Sequence, residues 1–122
     1  MALKVNWSNM NRVRGGEGIT RRVFSGERCM MVLNEILPST RSPLHHHPHE
    51  QLTYIIKGSV EFSLGDEVIA MGEDDVVLVP PNVPHQLTVT SSEPVLNMDV
   101  FAPIREEYLP ARTRNRGGRN DR

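Results

Sequence analysis

A single cysteine in 122 residues, Cys29, leaves no partner for an internal disulfide. A chain of this length makes one domain that must close its own core without staples. The missing disulfide fits a reducing compartment. Cys29 opens Cys-Met-Met-Val-Leu, an apolar run in which a packed, unreactive thiol is expected. No apolar run approaches the ~20 residues of a membrane span, and the N-terminus shows no charged-then-apolar leader. These absences predict a soluble, cytoplasmic protein with no membrane partner. The formal net charge is only −1, which gives no global field toward nucleic acid or membrane. Internal repeats are absent and helical periodicity barely appears.

The charge that exists is unevenly placed. Residues 111–122 carry Arg112, Arg114, Arg116, Arg119 and Arg122 against one acid, Asp121. Interleaved with glycine and asparagine, this segment has no apolar periodicity and is expected to be a disordered tail. No aromatic residue alternates with its arginines, which argues against a nucleic-acid partner. Residues 1–110 are expected to form the folded domain.

Within that body, short aliphatic and β-branched runs are broken every eight to twelve residues or so by Gly, Pro and Asn, the pattern of an all-β barrel or sandwich. Strands are expected at 3–7, 19–24, 28–37, 52–57, 60–64, 68–71, 76–79, 85–90 and 95–101. Residues 12–18 read as a loop around Gly15 and Gly16. Ser25-Gly26-Glu27 and Gly65-Asp66 read as turns, with Gly58 at a tight corner. The run Val76–Val79 is wholly apolar, which predicts burial on both faces. Three prolines exclude 80–84 from a ladder. Residues 105–109 can form one helical turn. An open sheet of nine strands would leave two long edges, so closure or a double sheet is expected.

Four of the five histidines fall between positions 45 and 49, and the fifth is His85. Strand alternation gives His45, His47, Gln51 and Thr53 one face, and His46 and Glu50 the other. His49 shares the inward parity but sits at a turn, so its role stays open. Two imidazoles from an H-x-H pair, Gln51 from the next strand and His85 from a facing one converge as ligands for one metal ion. That set leaves coordination positions open, as catalytic sites do. Three imidazoles and an amide oxygen suit a divalent transition metal: Zn, Ni, Co, Fe(II), Mn or Cu.

His45-x-His47-xxx-Gln51, followed after six residues by Gly58, resembles the first cupin motif, with Gln51 where glutamate is usual. Asp74-Asp75-Val-Val-Leu-Val-Pro80-Pro-Asn82-Val-Pro84-His85 resembles the second, with Asp74 and Asn82 in place of glycines. The resemblance implies a cupin-type double-stranded β-helix, that is, a jelly-roll barrel. Cupins host many activities, so the fold alone assigns none. Gln51 narrows the choice: a neutral ligand leaves more positive charge for polarising a substrate oxygen, which leans toward Lewis-acid chemistry.

The last strand places Asn97, Asp99 and Phe101 on one face, with Arg105 just beyond its end, a pattern suited to binding a substrate. His-x-His-Pro-His-Glu-Gln, Pro-Pro-Asn-Val-Pro-His and Asp-x-Phe-x-x-x-Arg together resemble the small pectin-degradation (KdgF-like) cupins. That resemblance implies metal-dependent ring opening and ketonisation of 4,5-unsaturated monouronates from pectin or alginate breakdown. It implies metal ligands His45, His47, Gln51 and His85, with Asp99, Phe101 and Arg105 as working residues. Asp99 would be the general base, Arg105 the carboxylate clamp and Phe101 a wall against the sugar. The competing readings are a metal-dependent dioxygenase and a non-catalytic small-molecule sensor. A homodimer paired through edge strands is the expected assembly.

Overall fold

The computed structural model describes residues 2–110. Alternating burial and turn residues carry this stretch into nine strands: β1 (Val13–Gly16), β2 (Ile19–Ser25), β3 (Met30–Ile36), β4 (Glu50–Lys57), β5 (Val60–Leu64), β6 (Glu67–Met71), β7 (Val76–Val79), β8 (His85–Val89) and β9 (Val95–Ala102). Six form a sheet in the order β1-β2-β3-β9-β4-β7, and three form a second in the order β6-β5-β8. Every pairing is antiparallel. This is the all-β architecture that the strand pattern implied and the jelly roll that the cupin resemblance implied. Among the described residues no helix is long and apolar enough to cross a membrane.

The two sheets are held face to face by one apolar cluster. Ile36, Ile55, Val79 and Val95 come from the large sheet, and Val60, Phe62, Met71, Leu87 and Val89 from the small one. Fully burying each aliphatic side chain contributes roughly 1.5–3 kcal/mol. A second cluster, Met30, Val32 and Phe101, packs with Val23, Ile104, Tyr108 and Leu109. Along β3 and β9 the polar inward-facing residues lie between the two clusters, beside Gln51 and Thr53 of β4, and there the site is built.

Turn chemistry sets the corners. Gly58 has φ +91°, and a Cβ there would lie 2.8 Å from Val95 Cγ2, so both conformation and space demand glycine. Asp74 and Asn82 adopt φ 73° and 67°, the left-handed turns expected of residues that stand in for glycine. Asn82 N–H then donates to the His47 carbonyl at 2.7 Å, which ties the proline-rich turn to the histidine segment.

Four local expectations are corrected. Residues 3–7 form no strand, and a 3₁₀ turn occupies Trp7–Asn9. Asn6 Oδ1 accepts from Ser8 N–H at 2.9 Å, a local bond that competes with a ladder. Val13–Gly16 is a strand rather than a loop, because Val13 and Arg14 pair with Arg21 and Thr20 across an irregular hairpin. The β7 run is not buried on both faces. It is an edge strand on which Val76 and Leu78 face outward while Val79 is buried. Cys29 is exposed rather than packed, since it lies in the β2–β3 turn that the Gly26 N–H···Cys29 carbonyl bond closes. A one-turn 3₁₀ helix at Glu106–Tyr108 agrees with the helical turn expected at 105–109. The arginine-rich segment 111–122, expected to be disordered, lies outside the described residues.

Candidate metal centre

The histidines reach one another through backbone pairing across the two sheets. His45 does not sit on a strand as its H-x-H spacing suggested. It forms an isolated bridge with His85, each N–H donating to the other's carbonyl at 3.1 and 2.9 Å. Prolines at 43 and 48 keep a longer ladder from forming around it. One ring nitrogen from each of His45, His47 and His85 lies within 4.8 Å of the other two. Among the described residues these three form the cluster with metal-binding geometry.

Each ring is oriented by a main-chain carbonyl. His45 Nδ1 meets the Pro43 carbonyl at 2.9 Å, His47 Nδ1 the His49 carbonyl at 3.1 Å, and His85 Nδ1 the Val83 carbonyl at 2.9 Å. A carbonyl only accepts, so Nδ1 carries the proton in each ring and Nε2 keeps its lone pair. Such outer bonds are what fixes a metal-ligating imidazole. The contribution of His49, left open by parity, is thus its carbonyl. Its ring lies 5.3 Å from that of His47 and 6.4 Å from that of Phe101. His46 is exposed, as parity predicted.

Two atoms report on what the centre can hold. His85 Nε2 is buried without a hydrogen-bond partner, a costly state for an isolated polar atom. His47 Nε2 lies 2.9 Å from Gln51 Oε1. With Nδ1 protonated, both of these atoms are acceptors. Burial, then the charge of Arg105, lowers the His47 pKa, which disfavours an imidazolium at this contact. Burial holds His85 down to about 4. Three imidazole nitrogens within 4.8 Å of one another, with an amide oxygen 2.9 Å from one of them, are a donor set suited to a divalent transition metal. The residues present therefore fit such an ion.

Gln51 is set by Asp99. Its Nε2 donates to Thr53 Oγ1 at 2.8 Å and to Asp99 Oδ1 at 3.2 Å, which turns Oε1 toward His47. Asp99 Oδ1 also accepts from Thr53 Oγ1 at 2.9 Å and Asn97 Nδ2 at 3.0 Å. Oδ2 accepts from Asn34 Nδ2 at 3.0 Å. Burial raises the Asp99 pKa even though these bonds favour its anion. Oδ1 is thus saturated, while Oδ2, with one partner here, has capacity to take a proton.

Phe101 is 1% exposed, and its ring meets that of His47 edge-on at 5.6 Å. It supports His47 as much as it lines the cavity. Arg105 is buried rather than solvated. Its guanidinium lies over Tyr108 at 4.3 Å and Phe101 at 5.1 Å, and it pairs with Glu107 at 2.8 Å. One cavity is lined by His45, Gln51, His85, Asp99, Phe101 and Arg105. Asn34, Arg21 and Tyr108 also line it, and sequence reasoning missed all three. The available signal for Asn34 was a polar residue at inward parity inside an apolar strand.

Comparison with known proteins agrees with this architecture. A family model described as Cupin domain matches residues 32–101. The chain is 26% identical over 96 residues to the pectin degradation protein KdgF of Dickeya dadantii (strain 3937), covering 77% of this chain and 86% of that one. It is similar in structure to an RmlC-like cupin from Shewanella frigidimarina NCIMB 400, with a TM-score of 0.80 and 21% identity over 86% of this chain and 94% of that one. KdgF from Halomonas sp. gives a TM-score of 0.78 and 22% identity over 84% and 95%. At these identities the two structures speak to the fold alone.

Proposed function

The chain belongs to the cupin family, and from that premise we propose that it is a metal-dependent enzyme that opens and ketonises 4,5-unsaturated monouronates. The observation that carries this reading is the network joining Gln51 to Asp99. It sets a neutral ligand beside a partly buried acid, within a cavity that also holds arginine. The likeness to a protein named for pectin degradation supplies the substrate class. His45, His47, His85 and Gln51 Oε1 would hold the ion. A divalent transition metal bound there supplies Lewis acidity toward an oxygen on which negative charge develops.

Asp99 Oδ2 takes the proton of the anomeric hydroxyl. The bond from C1 to the ring oxygen then breaks, which leaves an aldehyde at C1 and an enolate across C4 and C5. Asp99 returns the proton to C4, giving a ketone at C5, so the net change is an isomerisation. Proton transfer of this kind contributes roughly 10²–10⁴ in rate. A raised pKa suits Asp99 to both halves of the exchange. Arg105 orients the substrate carboxylate, exchanging its bond to Glu107 for one to the ligand. Phe101 keeps the His47 side of the cavity apolar and water scarce.

The test is the ultraviolet absorbance of an unsaturated monouronate. It is expected to fall faster than the uncatalysed background once the metal-loaded protein is added, with no uptake of oxygen. Unchanged absorbance across a series of Zn, Ni, Co, Fe(II) and Mn would reject the reading. Oxygen consumption would favour a dioxygenase instead, and binding without turnover a sensor.

A further inference from the structure

Arg21 stands on the inward face of β2, in register with Asn34 of β3, which is in turn in register with Asn97 of β9. Asn34 Nδ2 donates to both Asn97 Oδ1 and Asp99 Oδ2, at 2.9 and 3.0 Å. The side chain of Arg21 thus belongs to the same cross-strand row as the polar floor of the cavity, which it lines. A guanidinium on the inner wall of a barrel is costly unless its charge and its donors find partners.

The partners of Arg21 are few. Nη2 donates to the Gly15 carbonyl at 3.1 Å, and Cζ lies 4.0 Å from the centre of the Tyr108 ring. Nε is buried without a hydrogen-bond partner. No ion pair to Arg21 is present among the described residues, whereas Arg105, over the same tyrosine, has Glu107 at 2.8 Å. The two arginines of the cavity therefore differ: among the described residues one charge is offset by a carboxylate and the other is not. Stacking on Tyr108 accounts for where the Arg21 side chain lies. It does not account for an uncompensated cation on a cavity wall.

We infer that Arg21 is a second anion-recognising residue of this cavity, one that selects a carboxylate-bearing ligand over a neutral sugar of the same shape. The identity of the ligand as a sugar acid rests on the function proposed above. In this arrangement Arg21 supplies charge that no carboxylate among the described residues offsets, while Arg105 must first give up Glu107. The planar fork of arginine suits a carboxylate better than a point charge does.

The experiment measures binding of D-galacturonate and of D-galactose, its neutral counterpart, to the metal-loaded full chain by calorimetry. Wild type is expected to prefer the acid. Arg21→Gln is expected to lose ~10- to ~100-fold in affinity for galacturonate, the range for a charged hydrogen-bonded contact. Galactose binding, metal content and Tm should stay as in wild type. An Arg21→Gln protein that keeps the wild-type preference overturns the inference, as does a wild type with no preference. If the glutamine variant misfolds, Arg21→Met keeps the stem that packs on Tyr108 and is judged by the same two outcomes. Turnover separates this inference from the proposed function. Preference for the acid without turnover of unsaturated uronates rejects the enzyme and leaves Arg21 standing, while turnover with an unchanged KM in Arg21→Gln does the reverse.

Discussion

Gln51 and Asp99 share a hydrogen bond of 3.2 Å, from the amide Nε2 to the carboxylate Oδ1. With the second amide proton on Thr53, the amide can face only one way, with its oxygen toward His47. The candidate ligand and the candidate base therefore orient one another. A carboxylate at position 51 would set oxygen against oxygen where the amide now sets donor against acceptor, a physical reason for glutamine at this place.

Gln51→Glu tests that relationship. The added charge lies beside Asp99, and a like charge disfavours the ionised form. Asp99 then holds its proton at a pH where the wild type is a base. We expect metal to be retained and kcat on an unsaturated uronate to fall by ~10-fold or more, since one pKa unit corresponds to a tenfold change. An undiminished kcat, measured alongside metal content, would show that the amide does not matter to the base.

Asp99→Asn and His47→Ala should fail in different ways. The asparagine variant keeps three imidazoles and is expected to bind metal normally while losing ~10²–10⁴ in turnover. The alanine variant removes one of the three clustered imidazoles and is expected to lose its metal first. Elemental analysis after desalting, read beside the absorbance assay, distinguishes them. Full activity in Asp99→Asn would remove Asp99 from the reaction.

The metal-stripped protein should be acid-sensitive in a defined window. Burial lowers the His85 pKa to about 4 in the folded state, against ~6.5 when unfolded. Between those values the unfolded chain binds more protons, so stability rises with pH across the window. Stability is thus greatest above ~6.5 and falls as pH drops toward 4. Denaturant melts of wild type and His85→Gln at several pH values provide the measurement. The variant should show a shallower dependence, and equal slopes would mean that His85 is not responsible.

Ile55→Ala should test the inter-sheet core without touching the site. Ile55 is fully buried in the cluster that joins the sheets, and truncation there is expected to cost roughly 2–5 kcal/mol. Urea unfolding should show a lower midpoint with metal binding intact at low denaturant. A loss below ~1 kcal/mol would mean that the two sheets are held by something other than this cluster.

Much of this protein is legible in one dimension because strands alternate with period two. Parity alone sorted His45 and His47 from His46, and placed Asn97, Asp99 and Phe101 together. Proline and glycine marked the corners, and Asp74 and Asn82 could be read as left-handed turns from their side chains. The same local logic misplaced residues 3–7 and 13–16, where a single side-chain bond and an irregular hairpin decide the outcome. It also misjudged Val76–Val79, because an apolar run says nothing about whether its strand lies at an edge.

What the amino-acid order determined by itself was most of the strands, the all-β pattern and the separation of His45 and His47 from His46, since each depends on neighbours a few residues away. The tertiary structure alone decided which faces meet. Arg21 and Asn34 lie on consecutive strands, but Asn97 and Asp99 lie on β9, far along the chain, and only register between β3 and β9 makes them neighbours. The direction of the Gln51 amide, set by Asp99, was decided there too. A side chain's hydrogen bonds depend on what lies within about 3 Å of it in space, and for these residues sequence spacing did not reveal it.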